Sequence, residues 1–173
     1  TSGRTTLGGE GLQHQDGSSH LIAATIPNCK AYDPAFAGEM AVIVDHGMRE
    51  MLIEQKDVFY YVTLMNENYA QPDLPASVHD QLLKGGYLYA TAPLGLGPRV
   101  PQVSLLGSGA ILCEVVKAAA LLAEQGIAAE VFSITSWSEL ARDGLRTEQA
   151  MMANEKTPVA FVTSLLAKHK GPV

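Results

Sequence analysis

The chain has 173 residues, of which 47% are hydrophobic and 17% charged, a balance typical of a globular protein with a buried core. The net charge of −6 and the scattered basic residues exclude the positive surface of a nucleic-acid-binding protein. No apolar stretch approaches the about 20 residues of a membrane span, and the two distant cysteines, Cys29 and Cys113, fit neither a zinc motif nor a disulfide scaffold.

The first twenty residues are rich in glycine, serine and threonine, which predicts a long loop rather than a helix. Loops of this length are uncommon unless they are functional or disordered. The apolar run 21–26 and the segment 29–32 are each predicted as a short strand. The chain starts without methionine and ends without a closing element, so we expect a fragment.

A helix is predicted after Asp33, because an aspartate can accept hydrogen bonds from the first turn and Pro34 is tolerated there. Apolar residues then recur every three or four positions, which predicts an amphipathic helix to about Glu54. The β-branched and aromatic run 58–65 predicts a buried strand. A polar, proline-containing connection follows, and we place a domain boundary near residue 76.

The second half alternates strands and helices. An edge strand within 82–89 is followed by a strand at 100–106, a helix at 110–125 that ends at Gly126, and a strand at 129–134. Further elements follow: a helical turn capped by Ser136 or Ser138, a helix through 151–152 and a strand at 159–162. The strand–helix–strand unit should be parallel and right-handed, and the class is α/β.

Residue types that could carry chemistry are sparse. Gly107-Ser108-Gly109 could cradle an anion, but without a longer glycine motif or a P-loop lysine an ordinary strand–helix turn is favoured. His14 and His20 share the glycine-rich loop with Glu10 and Asp16, a combination suited to proton transfer. The remaining histidines are expected to be solvated: His46, His79 and His169.

The string from residue 1 to 20, with Gly-Glu-Gly-Leu-Gln-His at 9–14, closely resembles the homodimeric, thiamine-diphosphate-dependent first component of bacterial pyruvate dehydrogenase complexes. The resemblance continues along essentially the whole chain, at 25–29, 32–34, 64–69, 105–109 and 139–144. It implies a three-layer α/β sandwich with a mainly parallel sheet. The chain would hold the end of a pyrimidine-binding domain, 1–75, with an active-site loop at 1–20, and the first part of a transketolase-type C-terminal domain, 76–173.

The resemblance also implies a function. The parent enzyme would be a cytoplasmic homodimer that decarboxylates pyruvate and reductively acetylates the lipoyl group of a partner acyltransferase. His14 would enter the active site and contact the substrate, with Glu10 in the same wall. The ligands of thiamine diphosphate and Mg²⁺ would lie upstream of residue 1, so we expect these 173 residues alone to be inactive.

Three positions depart from relatives in that family. Ser18, Gln15 and Gly8 stand where relatives can carry histidine, glutamate and asparagine, which weakens any role for 15 and 18 but not for His14. The role of His20 stays open. Two other functions are possible alternatives. Residues 77–173 could form an assembly and docking domain without a catalytic group, or the protein could be a transketolase that acts on sugar phosphates, which the 9–14 string disfavours.

Overall fold

The computed structural model describes residues 16–65, 67–92, 100–153, 159–169 and 171–173. Along the chain the helices and strands are α1 Ser19–Ala24, β1 Cys29–Tyr32, α2 Ala37–Met48, β2 Phe59–Val62, α3 His79–Leu83, β3 Tyr87–Ala90, β4 Gln102–Gly107, α4 Ile111–Glu124, β5 Ala128–Ser133, α5 Trp137–Met152 and α6 Phe161–Leu166. A π-helix at Arg49–Ile53 continues α2, and a 3₁₀ turn at Ala76–Val78 precedes α3. The α/β class is confirmed.

The first part of the chain contains a parallel pair of strands. β1 and β2 pair in parallel with Cys29 opposite Phe59, and α2 with its π-helical extension connects them. The amphipathic helix to about residue 54 is therefore confirmed. The strand predicted at 58–65 is shorter and less buried than expected, since Phe59 is 44% exposed.

The run 21–26 was predicted as a strand, and that prediction is wrong. Residues 19–24 form α1, which leaves Leu21 and Ile22 mostly exposed. The Asp16 carboxylate accepts hydrogen bonds from the backbone N–H groups of Ser18, at 3.2 Å, and Ser19, at 2.9 Å. Because the first N–H groups of a helix lack partners within it, this carboxylate favours the helix over an extended chain.

The start of α2 also corrects a prediction, since Asp33 does not cap it. Glu39 lies inside the helix, and its carboxylate accepts hydrogen bonds from the backbone N–H groups of Ala35 and Phe36. This is the reciprocal part of a capping box, in which the third helical residue reaches back to the cap. Asp33 is thereby left to act elsewhere.

The second part contains a three-stranded sheet in the order β3-β5-β4. β4 and β5 are connected by α4 and pair in parallel, with Gln102 opposite Ala128. The edge strand β3 is antiparallel to β5. The strand–helix–strand prediction is confirmed, and Gly126 ends α4 with φ +74°. The first residue of α4, Ile111, is 46% exposed although it is apolar.

Two predictions near the end of the chain are wrong. The strand predicted at 159–162 is replaced by α6, because the Asp143 carboxylate accepts a 2.6 Å hydrogen bond from the Phe161 backbone N–H and satisfies the start of a helix. His169, predicted to be solvated, has a side chain only 10% exposed. Its ring bonds Glu130 and packs edge-on against Phe132 at 4.7 Å between ring centroids.

Candidate functional site

A cleft of about 670 Å³ opens between α1 and the second part of the chain. It lies where β4 and β5 end and where α4 and α5 begin, the edge of a parallel sheet at which ligands of α/β proteins usually bind. Its walls are mostly apolar with a few convergent polar groups. The side chains that define it are His20, Leu21, Asp33, Ser108, Ile111 and Trp137.

A chain of hydrogen bonds runs along one wall of this cleft. The Thr63 hydroxyl donates to one oxygen of Asp33, and the Ser108 hydroxyl donates to the other at 3.0 Å. His20 Nε2 lies 3.0 Å from the same Thr63 oxygen, and the ring contacts Tyr61 edge-on. Since the Thr63 proton is directed at Asp33, its oxygen can accept a hydrogen bond from Nε2–H of His20. The wall thus orients an imidazole through a hydroxyl and a buried carboxylate.

Asp33 also packs against the turn that leads into α4. It is only 4% exposed, and its backbone oxygen accepts a 3.0 Å hydrogen bond from the N–H of Gly109. Gly109 has φ +53°, and a Cβ there would lie 2.6 Å from a carboxylate oxygen of Asp33. Glycine is therefore required at 109, both for its backbone conformation and for this approach. The possible anion cradle at 107–109 already holds a carboxylate of the chain itself.

The start of α5 is satisfied in a similar way. Ser136 caps the helix by accepting a 3.1 Å hydrogen bond from the Glu139 N–H, and its hydroxyl donates to the carbonyl oxygen of Ala31 at 2.6 Å. Ser138 donates to the same oxygen at 3.3 Å. The expectation that one of these serines caps a helix is confirmed for Ser136. The end of β1 therefore docks between the first turns of α4 and α5.

A second buried carboxylate, that of Glu39, joins the two parts of the chain away from the cleft. Besides capping α2, it accepts hydrogen bonds from the Tyr87 hydroxyl at 2.8 Å and the Ser133 hydroxyl at 2.6 Å, and it is fully buried. Burial, followed by the nearby Glu39 charge, raises the pKa of Tyr87, so its hydroxyl stays protonated as a donor. The junction is therefore held by specific polar contacts as well as by apolar packing.

The structure describes only some of the residues that were predicted to carry chemistry. His14, Glu10 and Gln15 lie outside the described residues. His20 lines the cleft, Asp16 caps α1, and Ser18 is exposed just before that helix.

Asp33, Thr63 and Arg142 were not predicted as site residues, and Ser108 was considered only as part of a possible anion cradle. Their neighbours in sequence carry no shared motif. Asp33 and Ser108 line the cleft, whereas Thr63 bonds Asp33 and Arg142 bonds the Cys29 carbonyl once the chain has folded. A usable signal was present at Asp33, which follows a strand directly, as polar site residues often do.

Cys29 is buried and Cys113 half-buried, and both are free thiols. Burial raises the pKa of Cys29, which keeps the thiol protonated and unreactive. Within the described ranges, no three His, Cys, Asp or Glu side chains are grouped to hold a metal ion. In the same ranges, no helix is both long and apolar enough to cross a membrane.

Comparison with known families follows the two halves of the fold. Residues 1–72 match the pyruvate dehydrogenase E1 component middle domain, and residues 85–171 match the transketolase-like TK C-terminal domain. The chain belongs to the transketolase-like family. An E1-type middle domain is followed along the chain by a transketolase-like C-terminal domain. This domain order confirms the resemblance found in the 1–20 string.

Similar proteins agree with this assignment. Across its full length the transketolase-like chain is 49% identical to the pyruvate dehydrogenase E1 component of Pseudomonas aeruginosa. It is 50% identical, over 96% of its length, to that of Escherichia coli K12 and 51% identical, over the same share, to that of Haemophilus influenzae. The chain spans 20% of the first relative and 19% of the other two.

The fold has solved counterparts. A transketolase variant from Pichia stipitis superposes on 88% of the transketolase-like chain, and 19% of its own, with a TM-score of 0.57 at 20% sequence identity. A second transketolase structure from that organism, described as a complex with sedoheptulose 7-phosphate, gives the same TM-score over 88% of this chain and 18% of its own. At this identity the match establishes the fold, which confirms the transketolase-type α/β architecture.

Proposed function

We propose that this chain is part of a pyruvate dehydrogenase E1 component that decarboxylates pyruvate and transfers the acetyl group to the lipoyl group of a partner acyltransferase. The observation that carries the proposal is the identity of about half of all positions to E1 components, in alignments that cover 96–100% of the chain. Solved transketolases share only the fold with this chain, at 20% identity, and a purely structural role would leave the glycine-rich loop with its two histidines unexplained.

The cofactors we propose are thiamine diphosphate and Mg²⁺. The described residues do not fit either group, since they contain no cluster of metal ligands and the helix N-terminus nearest the cleft already holds Asp33. We therefore assign their binding to other parts of the enzyme and derive no step through them. We also propose that the E1 component is a homodimer. Within this chain, we place the boundary between the two domains near residue 76.

The contribution of this chain is to position imidazoles. We propose that His14 contacts pyruvate and moves or donates a proton beside the reacting carbon, with Glu10 in the same wall setting its charge. The Thr63 and Asp33 side chains fix the orientation of His20, six residues further along the chain. Apolar side chains such as Leu21 and Trp137 line the same cleft as His20 and make its walls mostly apolar.

The test uses the enzyme that contains this chain, with CO₂ release from pyruvate as the assay. Replacing His14 with alanine should lower kcat by about 10²–10⁴-fold, the usual cost of losing one positioned proton-transfer group, with little change in Tm. Replacing His79, which does not line the cleft, is the matched control and should leave kcat nearly unchanged. The proposal fails if the His14 variant keeps full pyruvate turnover, or if the wild-type enzyme transfers two-carbon units between sugar phosphates instead.

A further inference from the structure

One arginine of the second half reaches across to the backbone of the first half. Arg142 lies in the middle of α5, and its guanidinium donates hydrogen bonds to three main-chain carbonyl oxygens. These oxygens belong to Cys29, at 2.7 Å, Ile26, at 2.8 Å, and Ala24, at 3.3 Å. The side chain is only 23% exposed, and Glu139 holds it at 2.9 Å from the same helix.

The three carbonyl groups belong to the last residue of α1, to the turn that follows it and to the first residue of β1. The last carbonyls of a helix have no partner within it, and a six-residue helix is marginal by itself. α1 carries no basic residue in its own last turn, so Arg142 supplies the positive charge that favours the negative end of its dipole. The planar fork of a guanidinium can serve several acceptors at fixed angles, which a lysine ammonium on a flexible stem cannot do.

The helix that Arg142 closes also carries an imidazole of the cleft. His20 and Ala24 are one turn apart in α1, and both line the cleft beside Ala141, the neighbour of Arg142. The position of α1 therefore sets the distance between His20 and Thr63, now 3.0 Å. A shift of α1 by one ångström would weaken that hydrogen bond.

We propose that Arg142 is a positioning residue, by which the transketolase-like C-terminal domain holds α1 and, through it, His20. The effect on pyruvate turnover rests on the function proposed above, whereas the effect on α1 does not. The arginine thus links a domain without a described catalytic group to the histidine-bearing wall of the cleft.

The first measurement is hydrogen exchange in the enzyme that contains this chain, followed by mass spectrometry for peptides covering 19–26 and 137–152. Arg142→Ala should speed exchange in 19–26 by about 10-fold or more, since a hydrogen bond to a charged group contributes about 1.5–3 kcal/mol. Exchange in α5 should stay close to wild type. Arg146→Ala, which removes an exposed arginine one turn further along α5, is the matched control and should change neither peptide.

The second measurement is kcat and KM for pyruvate. We expect Arg142→Ala to lower kcat about 10-fold, with part of the loss restored by millimolar guanidinium chloride but not by equal sodium chloride. Arg142→Lys should resemble the alanine variant, because one ammonium cannot span three carbonyls.

Each outcome decides the proposal. Fast exchange confined to 19–26 together with guanidinium rescue supports it. Unchanged exchange in 19–26 overturns it, and so does fast exchange with wild-type kcat, which would make Arg142 merely structural. Absence of pyruvate turnover in the wild-type enzyme would refute the proposed function instead. The exchange comparison would still test whether Arg142 stabilises α1.

Discussion

Glu50 is a buried carboxylate that accepts hydrogen bonds from two lysines and a tyrosine. Its side chain is 5% exposed, and its two oxygens lie 2.6 Å from the Lys30 ammonium and 3.0 Å from that of Lys56. The Tyr60 hydroxyl also donates to it. Burial opposes the ionised form, but hydrogen bonds from Lys30, Tyr60 and Lys56 outweigh it and lower the pKa of Glu50 from 4.5 to about 2.

This shift makes the protein less stable in acid. A carboxyl group whose pKa is lowered by folding stabilises the folded state above its unfolded pKa of 4.5, and that stabilisation is lost as the pH falls towards about 2. At neutral pH the lowered pKa corresponds to about 3 kcal/mol, and between about pH 6 and about pH 3 roughly 2 kcal/mol of it should disappear.

The assay compares wild type with Glu50→Gln by urea unfolding at both pH values. The difference in free energy of unfolding between them should narrow by about 2 kcal/mol on acidification, because the variant has no carboxylate to protonate. Glu54→Gln is the matched control: Glu54 bonds the same Lys56 at 2.7 Å but is 39% exposed, and its removal should cost no more than about 1 kcal/mol at either pH. A difference between wild type and the Glu50→Gln variant that stays constant with pH would refute the reasoning.

Three further predictions concern close contacts within the fold and can be checked by the same unfolding assay. Glu39→Gln should lower the free energy of unfolding by about 2–4 kcal/mol, since Tyr87 and other buried donors lose a charged acceptor; a loss below about 1 kcal/mol would contradict this. Gly109→Ala should cost about 2 kcal/mol or more, because φ is +53° and the new Cβ would meet the Asp33 carboxylate, so a neutral outcome would contradict the described turn. Asp143→Ala should cost about 1 kcal/mol and speed hydrogen exchange in α6, whose first N–H it caps; unchanged exchange there would show that the cap is dispensable.

The sequence by itself predicted the elements whose signal is local. The unit from β4 to β5 was predicted because the apolar pattern switches from continuous to helical at Gly109 and back at Gly126, and both glycines have positive φ. The same holds for α2, whose apolar period extends over several turns. The family could be assigned because the 1–20 string is long enough to be specific.

Polar contacts rather than apolar pattern decided the short elements. The apolar runs at 21–26 and 159–162 are too short to show a period, so helix and strand could not be distinguished from pattern alone. Carboxylates decided both: Asp16 three residues before Ser19, and Asp143 eighteen residues before Phe161.

The site depended still more on folding. Asp33 meets Thr63 and Ser108 across 30 and 75 residues of chain, and Arg142 reaches the Cys29 carbonyl across 113. Main-chain acceptors carry no residue identity, so no sequence pattern marks the partners of that arginine. Local periodicity determines which segments become helices or strands, whereas the polar contacts that build the cleft depend on distances that exist only after those segments have packed together.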